Sequence, residues 1–348
     1  MENNYKFIPT NSKIRKGKKI NIEWTSKYLS NEGFHKIVLT NNYELNHKKY
    51  YRGILFELNP IRLIDKENKL RLTNEKDIDE IAEKFNKIMN DISPYLNDFF
   101  QMKVERIDYT IDLKVDEYIK KYIQLFQRAD KPRGFKEQYV KGANKHKQQD
   151  DSFYLISKST TINFYDKEQQ LRKLGYSDAE IAEAKNKLRF EVQLHKPKLY
   201  NIKNKHKFAS RELYHYLKLD YSREQIIMYY DKIIGSGDYI KKDQAVRIIN
   251  KSNLRKDTKN NLIKILTSIA NRRSVWKSRQ EFLSKVDIEN KKELKKQKAI
   301  FSRYLRKLRE LGINPVTIPE DWKIKNNKLD NLLGKILDEF EKEQNEFK

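Results

Sequence analysis

The chain has no cysteine among its 348 residues. That excludes disulfides, thiolate catalysis and zinc-finger sites. It has no run of about 18 apolar residues, so no segment reads as a membrane-spanning helix. The opening MENNYKFIPT lacks the apolar core of a secretory signal, which predicts a cytoplasmic protein. No internal repeat and no extended low-complexity segment occurs. What is abundant is positive charge: 74 Lys+Arg against 49 Asp+Glu, a net +25. Sixteen Phe, 21 Tyr and 3 Trp suffice for a real core and argue against full disorder. At roughly 150 residues per domain, the length predicts two domains. The charge excess predicts a polyanionic partner, nucleic acid first. The plainer alternative is a lysine-rich surface from an AT-rich genome, which would raise Lys, Asn and Ile together.

Along the chain, residues 1–30 are basic and poorly patterned, with Lys13, Arg15, Lys16, Lys18 and Lys19 around Gly17. They read as a mobile arm or an edge hairpin. From Phe34 to Ile64, β-branched and aromatic runs predict strands, and Asn59-Pro60 ends one of them. Residues 77–100 read as a helix, with Ile78, Ile81, Phe85, Ile88 and Met89 at helical spacing. Residues 104–113 alternate strictly: Ile107, Tyr109, Ile111 and Leu113 against Arg106, Asp108, Thr110 and Asp112. A helix follows over 116–127, then a basic loop over 128–151. A hairpin turns at Ser157-Lys158-Ser159, between strands 153–158 and 161–167. Ser177 and Glu180 have capping-box spacing for a helix to about Lys185. Residues 188–194 form another alternating strand. This order predicts an α+β fold, an antiparallel sheet with helices on one face. Beyond about residue 205 the pattern is helical, broken at Gly235-Ser236-Gly237 and Gly312-Ile313-Asn314-Pro315.

Three strands carry a polar face: Arg106, Asp108, Thr110 and Asp112; then Asn163, Tyr165 and Lys167; then Arg189, Glu191, Gln193 and His195. One reading is a wet side of a half-buried sheet. The other is a site. If the faces adjoin, Asp108 and Glu191 offer hard oxygens for Mg²⁺ or Mn²⁺, with Glu57 as a third ligand. Tyr165 would be a nucleophile and Lys167 would support its phenolate and the charge developing on a phosphate. Those parts suffice for tyrosine attack on a phosphodiester.

The ordered set Arg106-Ile107-Asp108-Tyr109-Thr110-Ile111-Asp112, Asn163-Phe164-Tyr165-Asp166-Lys167 and Arg189-Phe190-Glu191-Val192 resembles rolling-circle replication initiators. It is closest in pattern to the Rep_trans-type plasmid initiators and related conjugative relaxases, and is similar to the filamentous-phage gene II replication endonucleases. The resemblance covers roughly residues 50–200 and, more weakly, 300–320. It implies a relaxase-like sheet and a site-specific DNA nickase, with Tyr165 as nucleophile and Asp108 and Glu191 in an acidic metal site. The chain has no His-x-His, so acids would stand in for the histidine pair of related nucleases. Gln170 and Gln193 occupy positions where plasmid members commonly carry acids, which leaves the metal stoichiometry open. Tyr154, Tyr214, Tyr216 and Tyr221 are competing nucleophiles.

Arg106, Arg189 and the turn residue Lys158 are expected DNA contacts. Helices over 241–249 and 258–270 form a candidate helix-turn-helix, or a plain basic hairpin, with Lys251, Arg255, Lys256, Lys259, Arg272 and Arg273 on phosphates. The stripe Leu329, Leu332, Leu333, Ile336, Leu337 and Phe340 is either intramolecular core or the seam of a homodimer. The expected division is therefore a basic arm (1–30), an α+β nicking domain (31–205) and a helical DNA-binding region (206–348). The expected partners are double- and single-stranded origin DNA, a host polymerase and, since no Walker motif is present, a host helicase.

Overall fold

The computed structural model describes residues 6–15, 18–45, 48–67, 70–138, 151–284 and 290–345. The chain divides into two compact units, Met1–Lys103 with Glu212–Lys218, and Val104–Arg211 with Leu219–Lys348. These limits differ from the expected 30/31 and 205/206. The N-terminal hairpin belongs to the sheet that follows it, and the helices over 219–233 and 333–345 pack on the second sheet.

The first unit is a four-stranded antiparallel meander of β1 (Ile8–Arg15), β2 (Lys18–Ser26), β3 (Phe34–Leu45) and β4 (Lys48–Leu58). Within the 1–30 segment, β1 and β2 thus pair as an edge hairpin. Leu58 ends β4, and Pro60 opens a 3-10 turn at Pro60–Leu63, as Asn59-Pro60 predicts. Helix α1 (Ile78–Ile92) lays its apolar stripe on this sheet. Phe85 is the hub, with ring centroids 5.8 Å from Phe34, 5.7 Å from Phe56 and 5.2 Å from Phe99.

The second unit is built on five antiparallel strands in the order β5-β9-β8-β7-β6. They are β5 (Arg106–Lys114), β6 (Lys136–Glu137), β7 (Ser152–Ile156), β8 (Thr160–Asp166) and β9 (Lys187–His195). The Lys- and Gln-rich part of the 128–151 loop, residues 139–150, lies outside the described residues. Alternation sends Phe153, Leu155, Ile162, Phe164, Phe190, Val192 and Leu194 to one face, all buried. Phe164 and Phe190 are direct cross-strand partners and stack at 4.3 Å. Phe126 of α2 (Ile119–Gln127) closes to 4.8 Å from Phe164. Tyr230 of α6 (Leu219–Ile233) lies 6.0 Å from Phe190. Burying each such ring is worth roughly 1.5–3 kcal/mol, so this face is the core of the unit.

Short helices link the strands. Asp166 caps α3 (Lys167–Leu174) by accepting from the Gln169 N–H at 3.2 Å. Lys167 therefore opens a helix and does not extend the strand, a correction to the 161–167 strand. Ser177 and Glu180 form the expected capping box on α4 (Asp178–Glu183). Pro197 sits in the first turn of α5 (Lys196–His206).

After α6 come β10 (Tyr239–Ile240), α7 (Lys242–Lys251), α8 (Lys256–Arg272), α9 (Val275–Leu283), α10 (Lys291–Glu310), β11 (Lys328–Leu329) and α11 (Leu333–Asn345). Gly237 has φ +88°, and a Cβ there would come within 2.6 Å of the Ile313 carbonyl carbon. Glycine thus lets the turn after α6 lie against the segment after α10. Asp238 N–H donates to Gly312 O and Asn314 N–H to Asp238 O, both at 2.9 Å. Helix α11 packs on α6 and β5, and Leu329, Leu332, Ile336 and Phe340 are buried. Four of the six residues of that stripe are thus intramolecular core, and Leu333 and Leu337 are half-buried. Among the described residues, no helix is long and apolar enough to cross a membrane.

Candidate functional site

The strand register fixes what the polar face of the second sheet presents. Across β5, β9, β8 and β7 it forms rows. One row is Asp112, Arg189, Tyr165, Ser152. The next is Thr110, Glu191, Asn163, Tyr154. The third is Asp108, Gln193, Thr161. Alternation within each strand and the register between strands thus bring the three expected faces together.

Tyr165 and Glu191 are neighbours. The phenol donates to Glu191 Oε1 at 2.5 Å, while the Asn163 side-chain amide donates to Glu191 Oε2 at 3.3 Å. Arg189 also hydrogen-bonds the phenol oxygen. Its guanidinium is clamped by Asp112, Nε to Oδ1 at 2.6 Å and a terminal nitrogen to Oδ2 at 2.7 Å. Arg189 is only 8% exposed and Tyr165 5%. Burial pushes the phenol well above its ordinary pKa, the Glu191 charge pushes it further, and Arg189 opposes both. Burial would lower the Arg189 pKa, but its bonds to Asp112 outweigh that and hold it protonated. Arg189, expected on DNA, is an internal cation facing the phenol. Asp112, which stood only as one residue of a polar face, is its anchor.

Lys167 is buried at the start of α3 and donates to Gln170 Oε1 at 2.7 Å. Burial, reinforced by the nearby Arg189, lowers its pKa to about 8. Gln170 is thus a neutral partner for that lysine.

Asp108 is paired with Arg106 on its own strand, Nε to Oδ1 at 2.7 Å. Its row lies four residues along β5 from Asp112, about 13 Å at strand rise. Asp108 and Glu191 are diagonal neighbours on adjacent strands, about 7–8 Å apart at the backbone. Gln193 lies directly across from Asp108. His195 accepts or donates at Thr161 Oγ1 over 2.9 Å, and burial lowers its pKa, with Arg106 adding to the effect. Glu57 belongs to the other unit, where its partner is Lys36 at 3.0 Å. Among the described residues no three His, Asp or Glu side chains gather as a metal cluster. The hard-oxygen pair on this sheet is Asp108 with Glu191.

Of the competing tyrosines, Tyr154 shares the polar face, in the Glu191 row. Burial raises its pKa, and Glu191 raises it further. Tyr214 and Tyr216 belong to the first unit. Tyr221 lies on α6.

Lys158 is exposed at the β7–β8 turn. Helices α7 and α8 form the expected pair, joined through residues 252–255, and share a core of Ala245, Ile249, Leu262 and Leu266. Lys251, Arg255 and Lys256 are exposed around that turn. Lys259 reaches back to Asn250 O at 2.8 Å. Arg272, at the far end of α8, is held by Glu281 through bonds of 2.8 and 2.9 Å. Arg273 is exposed in the left-handed cap that follows. No family model, no curated protein and no solved structure matches the chain.

Proposed function

We propose that the chain is a DNA nicking and joining protein of the rolling-circle replication-initiator type, with Tyr165 as nucleophile. The observation that carries this reading is the Tyr165 phenol held between the Glu191 carboxylate and the Arg189 guanidinium. In the reaction, the phenol oxygen attacks the phosphorus of a backbone phosphodiester and its proton passes to Glu191. The bond from phosphorus to the leaving sugar oxygen breaks. The products are a phosphotyrosine link and, once that oxygen takes up a proton, a free 3′-hydroxyl. Arg189 stabilises the developing phenolate, and Asp112 holds Arg189 in place. Lys167 adds positive charge near the phosphate.

The hard oxygens of Asp108 and Glu191 suit Mg²⁺ or Mn²⁺, a donor set that leaves positions for water and phosphate. When bound, such an ion neutralises charge on the scissile phosphate. The antiparallel sheet, with helices on its apolar face and the nucleophile on its polar face, is read as relaxase-like. The basic turn between α7 and α8 grips the origin duplex, while a single-stranded segment crosses the sheet. A host helicase and polymerase would extend from the free 3′ end in the cytoplasm.

The test is incubation with supercoiled plasmid carrying the protein's own origin and Mg²⁺ or Mn²⁺, then mass spectrometry of the DNA-linked peptide. The expected adduct is on Tyr165, and Tyr165→Phe abolishes it. An adduct that persists in Tyr165→Phe refutes the assignment. One observation favours a second reading, a non-catalytic DNA-binding replication regulator on the same scaffold: Tyr165 is 5% exposed with its hydroxyl engaged on two sides. Tight origin binding with no cleavage under these conditions selects that reading. A conjugative relaxase shares the chemistry and is separated by a DNA-transfer assay.

A further inference from the structure

A surface of the second unit, at the C-terminal end of α8, combines features that the nicking site does not use. Arg273 ends α8 in a left-handed conformation, φ +49°. Ser274 then caps α9, accepting from the Lys277 N–H at 3.2 Å. Trp276, in the first turn of α9, is 39% exposed. The Lys131 ammonium lies 5.6 Å from its ring centroid. Val275 N–H donates to Arg128 O at 2.8 Å, which ties this turn to the end of α2. The Arg128 guanidinium lies 5.5 Å from the ring of Trp322.

The charges around these rings are unevenly paired. Arg279 bonds Asp130, Lys131 bonds Glu137 at 2.5 Å, and Arg272 bonds Glu281. Arg128, Arg273 and Lys277 have no ion-pair partner among the described residues. Arg128 is half-buried, and burial lowers its pKa, Arg273 lowers it further, and Asp321 only partly offsets them. Two arginines without a carboxylate partner among the described residues, beside an exposed indole, suit a ligand that brings negative charge and flat rings together. A polynucleotide does both. A duplex hides the faces of its bases and a single strand offers them.

We propose that Trp276, with Arg128 and Arg273, forms a docking surface for single-stranded nucleic acid: a base stacks on the indole and the flanking phosphates meet the arginines. Helix α8 has 17 residues, about 25 Å at helical rise, so this surface is separate from the α7–α8 turn at the other end. The inference rests on the nicking reading only for the strand being DNA; it does not need Tyr165 chemistry.

The experiment is fluorescence anisotropy of a labelled dT oligomer with the full chain in EDTA, against an abasic oligomer of equal length and a blunt duplex. The wild type is expected to prefer dT over the abasic strand by about 5- to 150-fold, the range for one aromatic stack. Trp276→Ala removes that preference while Trp276→Phe keeps most of it. Arg273→Ala weakens both strands equally and flattens the salt dependence. A dT preference that survives Trp276→Ala, no preference in the wild type, or a duplex that competes as well as the single strand overturns the proposal. Since no cleavage is read, failure of the Tyr165 adduct leaves this result unaffected, and failure here leaves the adduct test unaffected.

Discussion

Replacing Asp112 with alanine isolates the feature on which the proposed site depends mechanically. The substitution removes both Asp112 acceptors from Arg189, whose side chain is 9% exposed, and leaves a buried guanidinium without its carboxylate clamp. Breaking a buried, hydrogen-bonded pair by removing one partner costs about 3–5 kcal/mol. Because Tyr165 and Glu191 still compensate part of the charge, the lower end applies, about 3 kcal/mol. In a unit of this size that lowers the thermal midpoint by about 6–12 °C. The measurement is the midpoint and the urea transition of Asp112→Ala, Arg189→Met and the double variant. Arg189→Met also loses its partner but leaves a carboxylate nearer solvent, so its loss is smaller. The double variant removes both charges and is expected to recover to within about 1 kcal/mol of the wild type, since replacing a buried ion pair by a hydrophobe is often neutral. A loss below about 0.5 kcal/mol in Asp112→Ala refutes the reasoning, because the pair then behaves as a solvated one. So does a double variant as unstable as the sum of the singles.

Lys167 links stability to pH. Its folded pKa of about 8 lies below the ordinary 10.5, so above pH 8 the folded chain sheds a proton that the unfolded chain keeps. Stability from this group therefore rises between pH 8 and 10.5, and the full cost of the buried charge is present below pH 8. Lys167→Met is expected to stabilise by about 2 kcal/mol at pH 7, allowing for partial solvent screening, and to flatten the rise in thermal scans at pH 7 and 9.5. An unchanged pH profile contradicts the burial argument. At the α7–α8 turn, Lys251→Ala, Arg255→Ala and Lys256→Ala together are expected to reduce the log–log salt slope of duplex binding by about 2.7, at 0.9 per phosphate contact. A slope unchanged from the wild type moves the duplex surface elsewhere.

Much of this architecture is legible in the amino-acid order because alternation and capping are local. Tyr109, Ile111 and Leu113 against Asp108, Thr110 and Asp112 announce β5, and Phe190, Val192 and Leu194 announce β9. The Ser177–Glu180 box and the glycine breaks around α6 and α10 are equally local signals. The helices that escape notice begin on short polar stretches. Asp166 is both the end of a strand and the cap of α3, which turns Lys167 off the strand. Ser274 caps α9 only because Arg273 accepts a left-handed backbone. Pairing is the part that local pattern cannot supply. Arg189 and Asp112 are 77 positions apart, and only the β5–β9 register makes them partners. The same limit applies to Glu57, whose alternation gives a polar side without saying to which sheet the strand belongs.

The discontinuity of the first unit bears on how the chain is made. Residues Met1–Lys103 leave the ribosome before Val104–Arg211, yet their unit includes Glu212–Lys218. The Leu213 N–H meets Met102 O at 2.8 Å only after the whole of Val104–Arg211 has been synthesised. At 5–20 residues per second that interval is roughly 5–20 s. Strand β5 waits longer still for α11, which lies near the other end of the chain. Neither unit can finish before the other is well advanced, so a ribosome stalled midway holds two incomplete cores with uncovered sheet faces. A nascent chain of this topology is a substrate for chaperones that bind exposed apolar strands, and its yield in cells should depend on their supply more than its final stability does.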